Sequence, residues 1–224
     1  MSLVEFPERA VALSPTYLGT VDYWAMLSAY GRVVIDDTAR FDKRLKSTHR
    51  CVIADVNGPL QLTVPIEKPV SMTAAHWNDI RLSSHGQWWH QHRVALESAY
   101  GGTPFFEYYA DRFAPFCSAS TLEAYPTLTS LTRAMDGVIA EIIGIEGCLD
   151  YASETPVEPG ATDFRGRLLP ELTPVEYYQV RSLTQGFLPH MSIVDLIFNM
   201  GPETPLILKK MIISISHKLT THNF

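Results

Sequence analysis

The sequence has few cysteines, and no two of them stand at the spacing of metal ligands. Its three cysteines, Cys51, Cys117 and Cys148, lie far apart along the 224 residues. The absence of a CxxC pair excludes a zinc ribbon, and the odd count argues against a complete disulfide framework. We expect reduced, buried thiols, as in a cytoplasmic protein, and we predict no metal site.

Long apolar runs and an excess of basic residues are also lacking. No run approaches the roughly twenty apolar residues that a membrane span needs, and the N-terminal segment MSLVEFPERAVAL lacks the pattern of a signal peptide. We therefore expect a cytoplasmic protein without a membrane span. Its 18 Lys and Arg residues are outnumbered by 24 Asp and Glu residues, giving a net charge of −6, which argues against a nucleic-acid partner.

The composition is typical of one globular domain. Hydrophobic residues make up 46% of the chain and charged residues 19%, and the length is sufficient for an independent core. We predict a single α/β domain over residues 1–208 and a C-terminal tail over residues 209–224. No feature of the sequence identifies a cofactor or an oligomeric state.

The first forty residues have the pattern of a parallel β-α-β unit. Residues 10–14 and 32–37 contain short apolar runs typical of buried strands, and residues 21–30 carry apolar side chains at helical spacing. In a parallel sheet the ligand site lies beyond the carboxyl ends of the strands. Pro15, Thr16 and Tyr17 follow the first predicted strand, and Asp36 and Asp37 stand at the end of the second, so we expect all five to border one ligand site.

An antiparallel hairpin is predicted next. Residues 50–54 and 60–66 are two β-like runs separated by a segment with Asn57-Gly58, a strong turn signal. Together with the opening unit, it predicts an α/β fold with a mixed sheet flanked by helices. Further strands are predicted over residues 77–82 and 177–183, helices over 105–116, 120–143 and 192–199, and a long loop over 154–174.

The stretch WWHQHRVALESAYGG predicts a helix that ends at its two glycines. Its apolar face includes Trp88, Trp89 and His92, whereas His90 and Arg93 fall on a polar face. An imidazole and a guanidinium side by side can bind an anion or transfer protons, although a solvated face is the alternative. The predicted core comprises Leu27, Val34, Ile35, Ile53, Leu62, Val64, Trp89, Leu96, Ile139, Leu196 and Phe198.

Three long blocks carry a family resemblance. They are PTYLGTVDYWAMLSAYGRVVIDDTARFDKRLKSTHRCVIADVNGPLQLTVPI, HQHRVALESAYGGTPFFEYY and GFLPHMSIVDLIFNMGPE. In this order, they resemble the WbqC-like protein family over about residues 10–207, and the last block resembles a branch found in Bacteroidetes. The resemblance implies a product of bacterial gene clusters for O-antigen, the polysaccharide of lipopolysaccharide, and for other surface polysaccharides.

The first hypothesis is a transferase that acts on a nucleotide-linked sugar or its amino or acyl derivative. Its ligand would be a small anion, a nucleotide-sugar or an acyl donor, bound where the three blocks converge on one cleft. Basic side chains would hold phosphates, and an imidazole would act as general base. The predicted catalytic residues are His90, Asp36 and Asp195, and the predicted substrate-binding residues are Tyr17, Lys43, Arg50, Arg93 and Asn199.

Two alternatives remain open. The first is a non-catalytic accessory protein that binds a sugar or nucleotide-sugar, suggested by aromatic residues that can stack on sugars. The second is a remote nucleotidylyltransferase, suggested by the strand-loop-helix opening, although Tyr17 and Tyr23 stand where that fold places histidines. Dinucleotide-dependent redox chemistry is disfavoured, because no GxGxxG motif follows the first strand.

Overall fold

A computed structural model describes residues 10–71, 74–167, 169 and 171–221, with residues 213–221 described by their backbone alone. Its strands are β1 (Val11–Leu13), β2 (Val33–Ile35), β3 (Arg50–Asp55), β4 (Gly58–Thr63), β5 (Leu149–Tyr151) and β6 (Thr162–Asp163). Its α-helices are α1 (Val21–Ala29), α2 (Trp88–Tyr100), α3 (Phe106–Phe113), α4 (Thr121–Ala124), α5 (Leu128–Ile143), α6 (Ser182–Gln185), α7 (Ile193–Met200) and α8 (Thr204–Thr221).

Four of the strands form a parallel sheet in the order β5-β2-β1-β6. Strands β1 and β2 consist of apolar residues and are buried, as is usual where helices cover both faces of a parallel sheet. The predicted β-α-β unit is confirmed. The chain adds β2 and β5 on one side of β1 and then returns to place β6 on the other side. The strand order therefore reverses between β1 and β6, and such a switch point leaves a crevice at the carboxyl ends of the strands.

The hairpin forms a separate two-stranded sheet, in which β3 and β4 are paired from Arg50↔Thr63 to Asp55↔Gly58. Gly58 has φ +105°, a conformation that favours glycine. The hairpin packs against α2, since the amide of Ala54 donates a hydrogen bond to the Tyr100 hydroxyl at 3.1 Å. The predicted fold class is confirmed: a parallel sheet and an antiparallel hairpin are flanked by helices.

Two predicted strands are wrong. Within residues 77–82 the chain forms a 3-10 helix, Trp77–Asp79, at whose start the His76 amide donates to Oδ2 of Asp79 at 2.9 Å. The buried Trp77 side chain packs edge-on against Phe41. Residues 177–183 run irregularly into α6, and the Tyr177 side chain is used to reach Asp195. Conversely, the predicted loop over residues 154–174 contains β6.

The predicted core is confirmed except at Trp89, which is only partly buried. Its neighbour Trp88 is 2% exposed instead. Gln87 precedes α2 in a left-handed conformation with φ 47°, and the Trp88 indole N–H donates to the Ser83 carbonyl at 3.0 Å. This entry into the helix turns the first tryptophan toward the core and leaves the second at its edge.

Helix α8 runs past residue 208, where the sequence places the start of a tail. Met211 and Ile212 in α8 are buried, while the division into a domain and a tail stays a prediction. Residues 1–9, which hold most of the N-terminal segment discussed above, and residues 222–224 lie outside the described residues. Over the described residues, none of the helices has the length and apolar character that crossing a membrane requires.

Candidate functional site

A cavity of about 310 Å³ lies at the switch point of the parallel sheet. Leu13 and Ser14 reach it from the end of β1, and Phe164 reaches it from the end of β6. This is the position at which open parallel sheets bind their ligands. The polar part of its lining includes Thr16, Tyr17, Asp22, Ser47, Arg50, Arg167, Glu171 and His190.

The turn between β1 and α1, residues 14–20, is held in place by two distant segments. The amide of Tyr17 donates to the Ser47 carbonyl at 2.9 Å, and the Ser192 hydroxyl donates to the Leu18 carbonyl at 2.7 Å. Leu18 has φ 46°, which is unfavourable for a non-glycine residue and is often found at functional sites. The first and third family blocks therefore meet at this turn.

Gly19 has no room for a side chain. A Cβ atom at this position would lie 2.6 Å from Cδ1 of Tyr23 and 2.7 Å from Oγ1 of Thr16. Both neighbours line the cavity. The glycine thus allows the turn to approach α1 closely, and it determines where these two cavity side chains stand.

His190 and Asp22 form a hydrogen-bonded pair in the cavity wall. Nδ1 of His190 lies 3.0 Å from each carboxylate oxygen of Asp22, and Asp22 is buried and also accepts from the Leu172 amide at 2.8 Å. His190 itself has φ 60°. A buried carboxylate that accepts from Nδ1–H orients the ring and leaves Nε2 as the proton acceptor. The pair therefore has the arrangement of an oriented general base.

Two buried polar atoms of the cavity wall have no hydrogen-bond partner among the described residues. They are Nε of Arg50 and Oγ1 of Thr16, and Thr16 is only 8% exposed. Buried polar groups are hydrogen-bonded in the great majority of cases. The cavity wall thus contains buried polar atoms without a partner among the described residues, and Arg50 together with the exposed Arg167 gives it positive charge.

A family model described as the WbqC-like protein family matches residues 14–182. The chain belongs to this family. No curated protein and no solved structure matches this chain. The match includes the turn, Asp22, Arg50 and Glu171 but ends before His190. In this WbqC-like chain, the oriented base is thus completed by a residue outside the matched range.

Two of the eight predicted site residues, Tyr17 and Arg50, line the switch-point cavity. Tyr17 is 1% exposed, and its hydroxyl makes a hydrogen bond of 2.8 Å with Nδ1 of His92. Burial raises the pKa of Tyr17 well above its ordinary value. The Tyr17 phenol therefore stays neutral and serves as part of the wall.

Asp195 and Asn199 lie elsewhere, buried on α7 beside a space of only about 10 Å³. That volume holds at most a single water molecule. The carboxylate of Asp195 accepts from the Tyr177 hydroxyl at 2.6 Å and from Nε2 of Gln179 at 2.8 Å. Burial raises the pKa of Asp195. These contacts tie the segment before α6 to α7, so the observed geometry is that of a structural network.

The other predicted residues also lie apart from the cavity. Asp36 is paired with Arg165 at 2.7 Å beside a separate open groove of about 540 Å³. His90 and Arg93 are exposed on α2, 3.3 Å apart between Nδ1 and Nη2, and Lys43 is exposed. The expected single cleft is thus divided among several surfaces, and the roles assigned to these residues stay predictions.

The sequence reasoning missed five polar residues of the cavity lining: Asp22, Ser47, Arg167, Glu171 and His190. Two signals for them were present. Asp22 and His190 stand in the first and third family blocks, in GTVDYW and LPHMS. Their pairing spans 168 residues, however, and no local spacing rule connects positions so far apart. Over the described residues, no three His, Cys, Asp or Glu side chains are grouped as a metal site.

Proposed function

We propose that this WbqC-like protein is a group-transfer enzyme that acts on a nucleotide-linked sugar in the cytoplasm, in the biosynthesis of a bacterial surface polysaccharide such as O-antigen. One observation carries the proposal. The switch-point cavity contains both an imidazole oriented by a buried carboxylate, His190 with Asp22, and a guanidinium with an unpartnered nitrogen, Arg50. Family membership supports the polysaccharide context.

Binding of phosphate is assigned to Arg50 and Arg167. A chain with a net charge of −6 needs a local cluster of positive charge to hold a phosphate group, and charge-assisted hydrogen bonds from arginine are strong and directional. Thr16 supplies a further hydrogen bond. The volume of about 310 Å³ lies at the lower end of the range for small-molecule sites, so it accommodates part of a nucleotide-linked sugar.

The chemical role is assigned to His190. As the acceptor's hydroxyl or amine forms a bond to the transferred group, Nε2 of His190 takes up the proton that this acceptor loses. The bond between the transferred group and its former carrier breaks, and the carrier leaves with the electron pair. Asp22 stabilises the imidazolium that results, as carboxylates do in other oriented histidine pairs.

A thermal-shift screen of nucleotide-linked sugars tests the binding step. A ligand present at a hundred times its dissociation constant stabilises the native state by about 2.7 kcal/mol. Arg50→Ala should abolish the shift, and Arg81→Ala is the matched control because Arg81 is exposed outside the cavity. If the Arg50 variant binds as the wild type does, the phosphate assignment is wrong.

Measurement of product formation then distinguishes an enzyme from a non-catalytic accessory protein. His190→Gln should bind but lose product formation by a factor of about 10²–10⁴, the usual contribution of a general base. Binding without product for any donor would favour the accessory protein. Of the aromatic residues that suggested a sugar-binding accessory protein, Trp88, Tyr100 and Tyr109 are buried in the core and present no face to a sugar.

Nucleotidylyl transfer is a second candidate, and one observation favours it. The sequence has no histidine in the turn after β1, yet the fold brings His190 to that turn, where the Val21 amide donates to the Met191 carbonyl at 2.9 Å. Incubation with a nucleoside triphosphate and a sugar 1-phosphate distinguishes this candidate. Release of pyrophosphate that requires both substrates and is lost in His190→Gln would support it.

A further inference from the structure

Glu171 gives the cavity an exposed carboxylate that is not hydrogen-bonded to its neighbour His190. It lines the cavity, and its side chain is 80% exposed. Among the described residues it faces the ring of His190, with 3.8 Å between Oε2 and Nε2, a separation too long for a hydrogen bond. Asp22 differs sharply, since its carboxylate is buried and already accepts from both Leu172 and His190.

The lining therefore carries both signs of charge. Arg50 and Arg167 suit the phosphates of the proposed ligand, whereas Glu171 would repel a ligand that carries only negative charge. Like charges placed opposite each other in a binding site reduce affinity and select against such ligands. A ligand that carries an ammonium group as well as phosphate would satisfy both parts of the lining.

The position of Glu171 beside Nε2 of His190 adds a chemical argument. An ammonium group held by this carboxylate lies next to the free nitrogen of the oriented imidazole. One N–H bond of the ammonium can then break, with the proton bonding to Nε2 and the electron pair staying on the amine nitrogen. A neutral amine with a free electron pair is the form that acts as a nucleophile, and Asp22 stabilises the imidazolium. The imidazolium then gives its proton to the departing carrier, so that Nε2 can take up the second proton that the amine loses as its new bond forms.

We propose that the substrate of this cavity is an amino sugar linked to phosphate, with Glu171 binding its ammonium group and His190 receiving the proton. The assignment rests on the proposed function, because it takes the phosphate site and the base as given. It narrows the acceptor group to an amine, and it makes Glu171 a determinant of specificity between amino sugars and their hydroxyl counterparts.

Matched ligand pairs test the assignment. The probes are glucosamine 1-phosphate against glucose 1-phosphate, and UDP-glucosamine against UDP-glucose, titrated by calorimetry into the full chain. We expect the amine member of each pair to bind about tenfold more tightly, which corresponds to about 1.4 kcal/mol. Glu171→Gln should reduce this preference to less than about twofold, because it weakens binding of the amine member and removes the repulsion that opposes the hydroxyl member.

Glu176→Gln is the control, because it removes the same charge from an exposed position of the same segment outside the cavity lining, and it should keep the tenfold preference. If both members of a pair bind equally to the wild type, the amine assignment falls and the proposed function stands. If the preference survives in Glu171→Gln, Glu171 is not its cause and the assignment is overturned. If neither member of either pair binds, the proposed function fails and the amine assignment fails with it.

Discussion

The hydroxyl of Tyr17 donates a hydrogen bond of 2.8 Å to Nδ1 of His92, joining the wall of the switch-point cavity to helix α2. The other ring nitrogen, Nε2, lies 3.2 Å from the Thr63 carbonyl. Because a carbonyl only accepts, Nε2 carries the proton and Nδ1 is the acceptor. Burial lowers the pKa of His92 to about 4, so the ring is neutral at pH 7 and the tautomer is determined by its two partners.

Tyr17→Phe removes the donor from this pair and leaves Nδ1 of His92 buried without a partner. An unsatisfied buried group costs about 1–3 kcal/mol, and we expect a loss of that size in the free energy of unfolding, measured with denaturant. Tyr108→Phe is the matched control, because the Tyr108 side chain is 75% exposed, and its effect should stay within about 0.5 kcal/mol. Equal effects of the two substitutions would contradict the structural role of the Tyr17 hydroxyl.

His92 and His49 should contribute a loss of stability as the pH is lowered from about 6.5 to 4. The pKa of His92 in the folded state, about 4, is below its ordinary value of 6.5, and burial also lowers the pKa of His49 to about 4. Between pH 4 and 6.5 the unfolded chain binds more protons than the folded chain, so the free energy of unfolding rises with pH. The contribution of these histidines is fully present above pH 6.5 and is lost as the pH falls toward 4. The contribution of His92 is at most about 3.5 kcal/mol, since its pKa is lowered from 6.5 to about 4 and one pKa unit is equivalent to about 1.4 kcal/mol.

Denaturant unfolding at several pH values measures this dependence. His92→Gln should show a clearly smaller slope than the wild type between pH 6.5 and 4. His90→Gln is the control, as it removes an exposed imidazole from the same helix. A variant at position 92 with an undiminished slope would show that His92 is not the group responsible.

The parts of the fold that are local in sequence were predictable. The β-α-β unit and the hairpin depend on apolar runs and on the Asn57-Gly58 turn, which lie within short stretches of chain. Strands β5 and β6 could not be predicted, because their sequences LDY and TD are not apolar runs. They form strands through pairing with β2 and β1. Such pairing is a property of the tertiary fold rather than of local propensity.

The residues of the candidate site also fall into those that local sequence predicts and those that depend on the tertiary fold. Tyr17 and Arg50 were predictable because they belong to the first family block and follow or open predicted strands. Asp195 and His90 were wrongly expected to share a cleft with Arg50, because a polar residue in a family block can serve a buried network or a solvated face equally well. Asp22 and His190 needed the tertiary structure, since their contact depends on the turn after β1 meeting residues 190–193.

Gly19→Ala should reduce both stability and ligand binding. The added methyl group would lie 2.6 Å from the Tyr23 ring and 2.7 Å from Thr16 Oγ1, and overpacking of this kind costs about 1–3 kcal/mol. The two displaced side chains line the cavity, so the thermal shift caused by nucleotide-linked sugars should shrink. Gly147→Ala is the control, because no atom lies within 4 Å of its added Cβ. A Gly19 variant as stable as the wild type would contradict the close approach.

Trp88 and Trp89 should differ strongly in their contribution to stability. Trp88 is 2% exposed and packs edge-on against His92, whereas Trp89 is only partly buried. Trp88→Ala should cost about 3–5 kcal/mol, the usual range for a fully packed aromatic residue, and Trp89→Ala should cost clearly less. Denaturant unfolding of the two variants decides the order, and the reverse order would mean that α2 begins in a different rotation.

Asp195→Asn and His190→Gln should have opposite effects, the first mainly on stability and the second mainly on turnover. The substitution at Asp195 disturbs a carboxylate that accepts from Tyr177 and Gln179, so we expect a loss of roughly 2–3 kcal/mol in unfolding free energy, the cost of unsatisfied buried donors. Because Asp195 lies outside the switch-point cavity, the folded variant should bind nucleotide-linked sugars with unchanged affinity.

His190→Gln should have the opposite profile, with a stability change of about 1 kcal/mol and a large loss of turnover. Unfolding curves, calorimetric titration and product formation on both variants provide the comparison. If the Asp195 variant has wild-type stability and binds the ligand but forms no product, the prediction is wrong. The catalytic role would then belong to Asp195 on α7 rather than to the His190–Asp22 pair.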